Sequence, residues 1–168
     1  MRMPTASELI EQAKQALAAL KPRNLSVVTA ESCTAGMLAS LLSEAPGAAE
    51  HLHGGFVTYT KAGKTEMLGV PPELLARKGA VCPEVALAMA EGGLKRSPAD
   101  LAVAITGVAG PDPDEDGNPV GLVCIAVARR GHASSHLERT YGDLGRDTVR
   151  ACAMSDALQQ LCLVAGRD

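Results

Sequence analysis

Aromatic side chains are scarce in this chain, which has one phenylalanine, two tyrosines and no tryptophan among its 168 residues. Proteins that bind single-stranded nucleic acid stack bases on aromatic rings and carry an excess of basic charge. Phe56, Tyr59 and Tyr141 are too few for such a platform, and the formal net charge at pH 7 is -3. We therefore expect no nucleic-acid partner, and a core of alanine, leucine, valine and isoleucine.

Cysteine pairs and long hydrophobic runs are also missing. The five cysteines are odd in number and no two have CxxC spacing, which argues against a zinc site and a disulfide framework. No apolar run approaches the ~20 residues that cross a bilayer. The opening residues, MRMPTASELIEQ, lack the apolar segment of a secretion signal. These absences predict a cytoplasmic protein with no membrane partner.

The chain length and its hydrophobic periodicity predict a single domain, residues 1–168. We expect strands over residues 25–30, 54–60, 101–105, 122–128 and 135–141, the last two joined as a hairpin through 129–132. We expect helices after the capping box at Thr5, from 35 to the Pro46-Gly47 stop, and over 64–68, 72–78, 84–95 and 145–164. This order predicts an α/β fold, a three-layer α/β/α domain with a mixed β-sheet.

The turn after the first strand, Glu31-Ser32-Cys33-Thr34, carries the most specific chemistry. A sharp turn between a strand and a helix exposes a side chain at the sheet edge where α/β proteins bind ligands. N–H groups at the start of the helix suit an oxyanion. Ser32 is thus a candidate nucleophile, although the local sequence alone favours a plain helix cap by Ser32 or Thr34.

A serine nucleophile needs a base, because its hydroxyl is unreactive at neutral pH. His51 and His53 precede the second strand and are expected to be exposed to solvent. Lys61 and Lys64 follow that strand, and either can serve as a base only if its pKa falls well below ~10.4. Without such a shift, both lysines are ordinary solvated surface charges.

Two loops follow the strand at 101–105. In the first, residues 106–111, Gly107 and Gly110 allow backbone N–H groups to approach a ligand closely, although the loop has no recognised phosphate-binding sequence. The second, residues 112–118, imitates the start of a calcium loop. Its twelfth position, which must be Glu, is Val123. We predict a solvated acidic loop without a metal.

Six segments occur in an order typical of one family: TAESCTAG (29–36), GGFVTYTKAGK (54–64), GAVCPEVA (79–86), TGVAGP (106–111), NPVG (118–121) and GRDTVR (145–150). Together they resemble the CinA C-terminal domain family, which includes stand-alone nicotinamide-nucleotide amidohydrolases. The resemblance covers nearly the whole chain. The chain departs from the family pattern at Ala35, which replaces a glycine, at Cys82, which replaces a serine, and at an inserted Leu144-Gly145.

The resemblance implies hydrolysis of nicotinamide mononucleotide to nicotinate mononucleotide and ammonia, a step in pyridine nucleotide (NAD) recycling, without a metal or cofactor. It implies Ser32 as nucleophile and Lys64 as base, with Tyr59 as a possible proton relay. The remaining expected site residues bind substrate: backbone N–H groups near Cys33 and Thr34 hold the oxyanion, and the phosphate meets Thr106, Gly107, Gly110 and Arg146. A homo-oligomer is also expected.

Three points remain open in the sequence. Arg146 can bind phosphate, orient Lys64 or bridge subunits. Cys33 can act as a thiolate nucleophile with His51 or His53 as its base. The protein can also be a non-catalytic nucleotide-binding or regulatory module of a competence/damage-inducible protein.

Overall fold

The structure, a computed structural model, describes residues 2–167, so Met1 and Asp168, the ends of the predicted domain, lie outside the described residues. The strands are β1 (Val27–Glu31), β2 (Leu52–Val57), β3 (Leu101–Gly107), β4 (Leu122–Arg129) and β5 (Ser135–Thr140). The helices are α1 (Ala6–Leu20), α2 (Met37–Ser43), α3 (Ala48–His51), α4 (Lys61–Leu68), α5 (Pro72–Lys78), α6 (Pro83–Lys95) and α7 (Arg146–Ala165). A 3-10 turn, Lys21–Arg23, follows α1.

The five strands form one mixed sheet in the order β2-β1-β3-β4-β5. β1 is parallel to β2 and β3, whereas β4 is antiparallel to β3 and to β5. The predicted mixed sheet and its final hairpin are confirmed. β5 therefore runs in the same direction as β1, β2 and β3, and these four strands end at one side of the sheet. We call this side the carboxyl edge.

Helices cover both faces of the sheet, which confirms the three-layer α/β/α prediction. Along β3, Leu101, Val103 and Ile105 belong to a core shared with α1, α2 and α7. The alternate residues Ala102 and Ala104 belong to a second core under α6. The small alanines let α6 approach the sheet closely, so a core nearly free of aromatic side chains still packs densely. No helix within residues 2–167 is long and apolar enough to cross a membrane.

Two helices begin at residues other than those predicted, because a polar cap or residues with positive φ fix where the helical backbone starts. α4 begins three residues early, since Thr60 Oγ1 accepts a hydrogen bond from the Gly63 N–H at 2.9 Å and caps the helix. α2 begins two residues late, because Ala35 and Gly36 adopt φ angles of 48° and 93°. At the start of α1, the predicted capping box between Thr5 and Glu8 is confirmed.

The expectation that His51 is exposed is wrong. His51 ends the short helix α3, which the sequence pattern did not predict, and its side chain is buried. Its Nδ1 lies 2.8 Å from the Leu25 carbonyl oxygen. The next residue, Leu52, pairs with Val27 at the start of β1. His51 therefore lies at the side of the sheet opposite the carboxyl edge, while His53 is exposed on β2.

Candidate active site

Five chain segments meet at the carboxyl edge around a cavity of about 230 Å³. They are the turn after β1, the residues from the end of β2 into α4, the link between α5 and α6, the end of β3 with the loop to β4, and the start of α7. The cavity is lined by Ser32, Cys33, Tyr59, Lys61, Lys64, Ala80, Val81, residues 106–110, Asp112, Asp114, Glu115, Asp116 and Arg146. The structure thus brings together all the predicted site residues except Thr34.

Ser32 and Lys64 form a hydrogen-bonded pair on the wall of this cavity. Lys64 Nζ donates to Ser32 Oγ at 2.8 Å and to the Thr58 carbonyl oxygen at 2.9 Å. The Ser32 N–H donates to the Ile105 oxygen of β3 at 2.9 Å, which fixes the serine backbone to the sheet. Only 1% of the Lys64 surface is exposed. Within residues 2–167, no carboxylate forms a salt bridge with its ammonium.

Burial lowers the pKa of Lys64 from 10.5 to about 8. The cause is desolvation, which disfavours the charged ammonium in an apolar surrounding. An amine with this pKa is neutral in about a tenth of the molecules at pH 7 and in about half of them at pH 8. In that form its lone pair accepts a hydrogen bond from Ser32 Oγ, as a general base requires.

The Glu31 carboxylate, directly before Ser32, occupies the start of α2. Its Oε2 accepts hydrogen bonds from Thr34 Oγ1 at 2.7 Å, Gly36 N at 3.1 Å and Leu38 N at 3.0 Å. Its Oε1 accepts one from Ala39 N at 2.8 Å. The alternative that Ser32 or Thr34 caps α2 is wrong, since the helix has no such cap and Glu31 takes that place. Sequence reasoning treated Glu31 only as part of a polar turn.

Because Glu31 uses the N–H groups at the start of α2, these are not available to an oxyanion. Between Ser32 and α2, the backbone N–H groups of Cys33 and Thr34 have no hydrogen-bond acceptor in the part of the chain that the structure describes. The Thr34 side chain is buried against Glu31 and does not line the cavity. Any contribution of Thr34 to substrate binding is therefore through its backbone.

Cys33 lies in a setting that disfavours a thiolate. Its side chain is buried, and burial raises the pKa of the thiol to about 11. Arg150 Nε donates to the Cys33 carbonyl oxygen at 2.8 Å, a contact with the backbone and not with the sulfur. His51, the proposed base for this cysteine, is at the opposite side of the sheet. The serine has the Lys64 amine at hydrogen-bond distance, whereas His51 and His53 both lie near the start of β2, away from Cys33.

Arg146 and Tyr59 bind each other at the rim of the cavity. Arg146 Nη2 donates to the Tyr59 hydroxyl at 3.1 Å, and Nη1 donates to the Gly110 carbonyl oxygen at 2.6 Å. Tyr59 is largely exposed. Its phenol is hydrogen-bonded to Arg146, and within residues 2–167 no hydrogen bond joins it to Lys64. Through Tyr59 and Gly110, Arg146 connects the start of α7 to the segments that follow β2 and β3.

The predicted phosphate loop is held by contacts of its own. Thr106 Oγ1 donates to the Ala80 carbonyl oxygen at 2.8 Å, which leaves its oxygen as an acceptor. At Gly107, a Cβ would lie 2.7 Å from Val123 Cγ2, so close packing against β4 requires glycine there. Gly110 has a φ of 91°, which other residues rarely adopt. Both glycines line the cavity.

The acidic loop is largely exposed, as expected for a solvated loop, but it also binds Lys61. Lys61 Nζ binds Asp116 Oδ1 at 2.6 Å and Glu115 Oε1 at 3.1 Å, and all three residues line the cavity. Asp116 Oδ2 also accepts from the Ala80 N–H at 3.0 Å. The sequence does contain a signal for this contact. A basic residue follows β2 and acidic residues follow β3, and both strands end at the carboxyl edge.

Comparisons with known proteins identify the family and agree with the fold. Residues 9–164 match the model of the CinA C-terminal domain. The chain is 44% identical to the nicotinamide-nucleotide amidohydrolase PncC of Escherichia coli, over 94% of each protein. It is 45% identical to a putative competence-damage inducible protein of Symbiobacterium thermophilum, of which it spans about a third (34%), while the match covers 83% of this chain.

Two solved structures extend the comparison to three dimensions. The competence/damage inducible protein CihA of Agrobacterium tumefaciens superposes with a TM-score of 0.90 at 41% identity, covering 99% of both chains. A CinA superfamily protein of Escherichia coli gives a TM-score of 0.89 at 34% identity, covering 98% of this chain and 94% of that one. Sequence and fold agree: the chain belongs to the CinA C-terminal domain family.

Proposed function

We propose that the protein hydrolyses the carboxamide of nicotinamide mononucleotide, releasing nicotinate mononucleotide and ammonia within NAD recycling. The observation that carries the proposal is the 2.8 Å contact between Ser32 Oγ and the buried Lys64 amine on a cavity wall. The substrate is inferred from the Escherichia coli relative named nicotinamide-nucleotide amidohydrolase, which matches this chain over 94% of both lengths.

Acylation begins with Lys64 in its neutral form. The amine takes the proton of Ser32, and Oγ attacks the carboxamide carbon. The backbone N–H groups of Cys33 and Thr34 are the donors closest in sequence to the nucleophile, and we assign the developing oxyanion to them. Two such donors in a partly desolvated site stabilise the charge more strongly than water does.

Breakdown of the tetrahedral intermediate needs a proton on the departing nitrogen. The Lys64 ammonium, formed in the first step, supplies it, so ammonia leaves and an ester remains on Ser32. Neutral Lys64 then takes a proton from water as its oxygen attacks the ester, and the Lys64 ammonium returns this proton to Ser32 Oγ as the ester bond breaks. The products are nicotinate mononucleotide and a free serine, and the net reaction consumes one water.

The phosphate of the nucleotide is assigned to Arg146 and the backbone of residues 107–110. A guanidinium has five N–H donors, so Arg146 can bind phosphate oxygens while it keeps part of its contact with Gly110. Thr106 donates its proton to Ala80, so in this conformation it offers an acceptor instead of the donor expected from sequence. Lys61 pairs with Glu115 and Asp116 and offsets one of their two negative charges, which lowers their repulsion of an anionic substrate.

Ammonia release from nicotinamide mononucleotide by the purified protein tests the proposal directly. Ser32→Ala should abolish turnover while the protein stays folded, since it removes only the attacking oxygen. Ser43→Ala, at an exposed serine at the end of α2, is the matched control and should stay active. Nucleotide binding without ammonia release by the wild type would indicate the non-catalytic module instead.

A cysteine variant separates the two possible nucleophiles. Cys33→Ala should keep substantial turnover, because only the backbone of Cys33 has a role in the serine mechanism. Loss of turnover in Cys33→Ala together with retention in Ser32→Ala would identify the cysteine as nucleophile. Ammonia assays on both variants, with circular dichroism to verify folding, decide between them.

A further inference from the structure

Glu31 is a buried acid that the mechanism above does not use. Its side chain has no exposed surface, although glutamate is almost never fully buried unless it is paired. Within residues 2–167, no lysine, arginine or histidine forms a salt bridge with it. Its four hydrogen bonds therefore come from uncharged donors, a hydroxyl and three backbone N–H groups.

All four donors belong to the segment that follows the nucleophile. Glu31 comes directly before Ser32, and its partners at positions 34, 36, 38 and 39 come after it. The carboxylate thus closes a ring of contacts around the serine. The backbone inside this ring includes Ala35 with a φ of 48°, a left-handed conformation that is unfavourable for alanine.

The position of the charge also decides which N–H groups can receive an oxyanion. The start of a helix carries a partial positive charge, and a carboxylate placed there occupies that site. Glu31 binds the N–H groups of Gly36, Leu38 and Ala39, so those donors are taken. The N–H groups that precede them, on Cys33 and Thr34, are left beside Ser32.

We propose that Glu31 is a positioning residue for the nucleophile. It holds the 32–36 turn so that Ser32 Oγ meets Lys64 Nζ and the oxyanion is directed to the Cys33 and Thr34 N–H groups. The inference rests on the proposed role of Ser32 as nucleophile. Glu31 acts through the turn and does not touch the substrate, since it does not line the cavity.

Glu31→Gln is the principal test, because it keeps the size of the side chain. The amide has one acceptor oxygen, and its NH₂ group faces backbone N–H donors, so the ring of contacts opens. A displacement of about 1 Å at a reacting group costs on the order of 100-fold in rate. We expect kcat for nicotinamide mononucleotide to fall by that order, with KM changed less than about threefold.

Asp100→Asn is the matched control at the other end of β1. Asp100 Oδ2 accepts from Ser26 N at 2.8 Å and from Ser26 Oγ at 3.1 Å, so it is also a carboxylate that holds backbone. This variant should lose stability and keep its kcat. If Glu31→Gln keeps kcat within threefold of wild type, or if Asp100→Asn loses as much activity, Glu31 has no positioning role.

A serine-directed fluorophosphonate gives a readout that does not depend on the nucleotide. Glu31→Gln should be labelled at Ser32 at least tenfold more slowly than wild type, and Ser32→Ala should not be labelled. If the wild type is labelled but releases no ammonia, the proposed substrate is wrong, and the positioning role of Glu31 is unaffected. Equal labelling rates in the wild type and Glu31→Gln would overturn the positioning role alone.

Thr34→Val provides the test if Glu31→Gln does not fold. It removes the shortest hydrogen bond to Glu31, 2.7 Å, and keeps the carboxylate and the three backbone contacts. A several-fold loss in kcat and in labelling rate, with an unchanged KM, would support the proposal. Unchanged rates in a variant of measurably lower stability would contradict it.

Discussion

Lys61 and Lys64 lie one turn apart in α4 and line the same cavity, yet their surroundings give them opposite properties. Lys61 is 31% exposed in its side chain, and its hydrogen bonds to Asp116 and Glu115 raise its pKa. Lys64 is buried without a carboxylate, and desolvation lowers its pKa to about 8. The contrast teaches that the surroundings, and not the residue type or its place in the sequence, set the pKa of each lysine.

Replacing the base should have the largest effect. Lys64→Arg keeps a positive charge but removes a group that can lose its proton, since arginine is protonated at all working pH values. General-base catalysis contributes about 10²–10⁴-fold, so kcat should fall by about that factor. Steady-state ammonia assays measure this. Near-normal turnover in Lys64→Arg would reduce Lys64 to an electrostatic contact and refute the Ser/Lys mechanism.

The buried lysine should also cost stability. At pH 7 the folded protein holds an ammonium in an apolar site, so Lys64→Met should raise the free energy of unfolding. Between pH 8 and 10.5 the folded state loses this proton while the unfolded state keeps it, so wild-type stability rises with pH. The gap between variant and wild type should therefore shrink by on the order of 3 kcal/mol across that window. Urea unfolding at several pH values measures it, and a constant gap would contradict the shifted pKa.

Arg146, the third cation assigned to the site, tests where the phosphate binds. Arg146→Ala should weaken binding of nicotinamide mononucleotide by about 1.5–3 kcal/mol, as for a charged hydrogen bond. The loss should be much smaller for the riboside, which has no phosphate. Lys61→Met is the comparison variant. If it loses the preference for the nucleotide and Arg146→Ala keeps it, the phosphate belongs to Lys61.

The pH dependence of the wild type measures the state of Lys64 directly. The base must be unprotonated, so kcat/KM should rise about tenfold per pH unit below the pKa and level off above about 8. Lys61→Met should leave this limb in place, because the Lys61 charge is already balanced by its carboxylates. A limb near the ordinary lysine pKa would show that burial does not tune the base.

The smallest effect is expected at Lys61 itself. Lys61→Met removes a partly exposed ion pair, a type of contact that contributes little to stability. We expect kcat to stay within about twofold of wild type. High salt screens the ion pair that Lys61→Met removes. It should therefore also change the kcat of the wild type only slightly. A loss of kcat comparable to that of Lys64→Arg would remove the distinction between the two lysines.

Much of the fold followed from sequence patterns because these depend on local physics. Hydrophobic periodicity and the capping box at Thr5 predicted the layers and most of the strands and helices that the structure shows. The predicted helix boundaries were wrong where a single local feature overrides the hydrophobic period, namely the Thr60 cap before α4 and the positive φ of Ala35 before α2. Helix α3 was missed because four residues carry no period. The homo-oligomer stays a prediction.

The candidate site was identified partly from the sequence and partly from the tertiary structure. Sequence placed Ser32 in the turn after one strand and Lys64 a few residues after the next, and in an α/β sheet the carboxyl ends of parallel strands converge. The residues themselves left a helix cap and a solvated charge as the favoured interpretations, and the hydrolase activity came from the resemblance to a family. The resemblance to a family supplied the roles.

Tertiary structure alone decided what each group can do. The hydrogen bond between Ser32 and Lys64 joins residues 32 positions apart, and the ion pair between Lys61 and Asp116 joins residues 55 apart. Whether a lysine is buried, or a glutamate captures helix N–H groups, depends on which side chains pack around it from distant segments. Charge and reactivity respond to that surrounding dielectric and those partners, which no local pattern of residues contains.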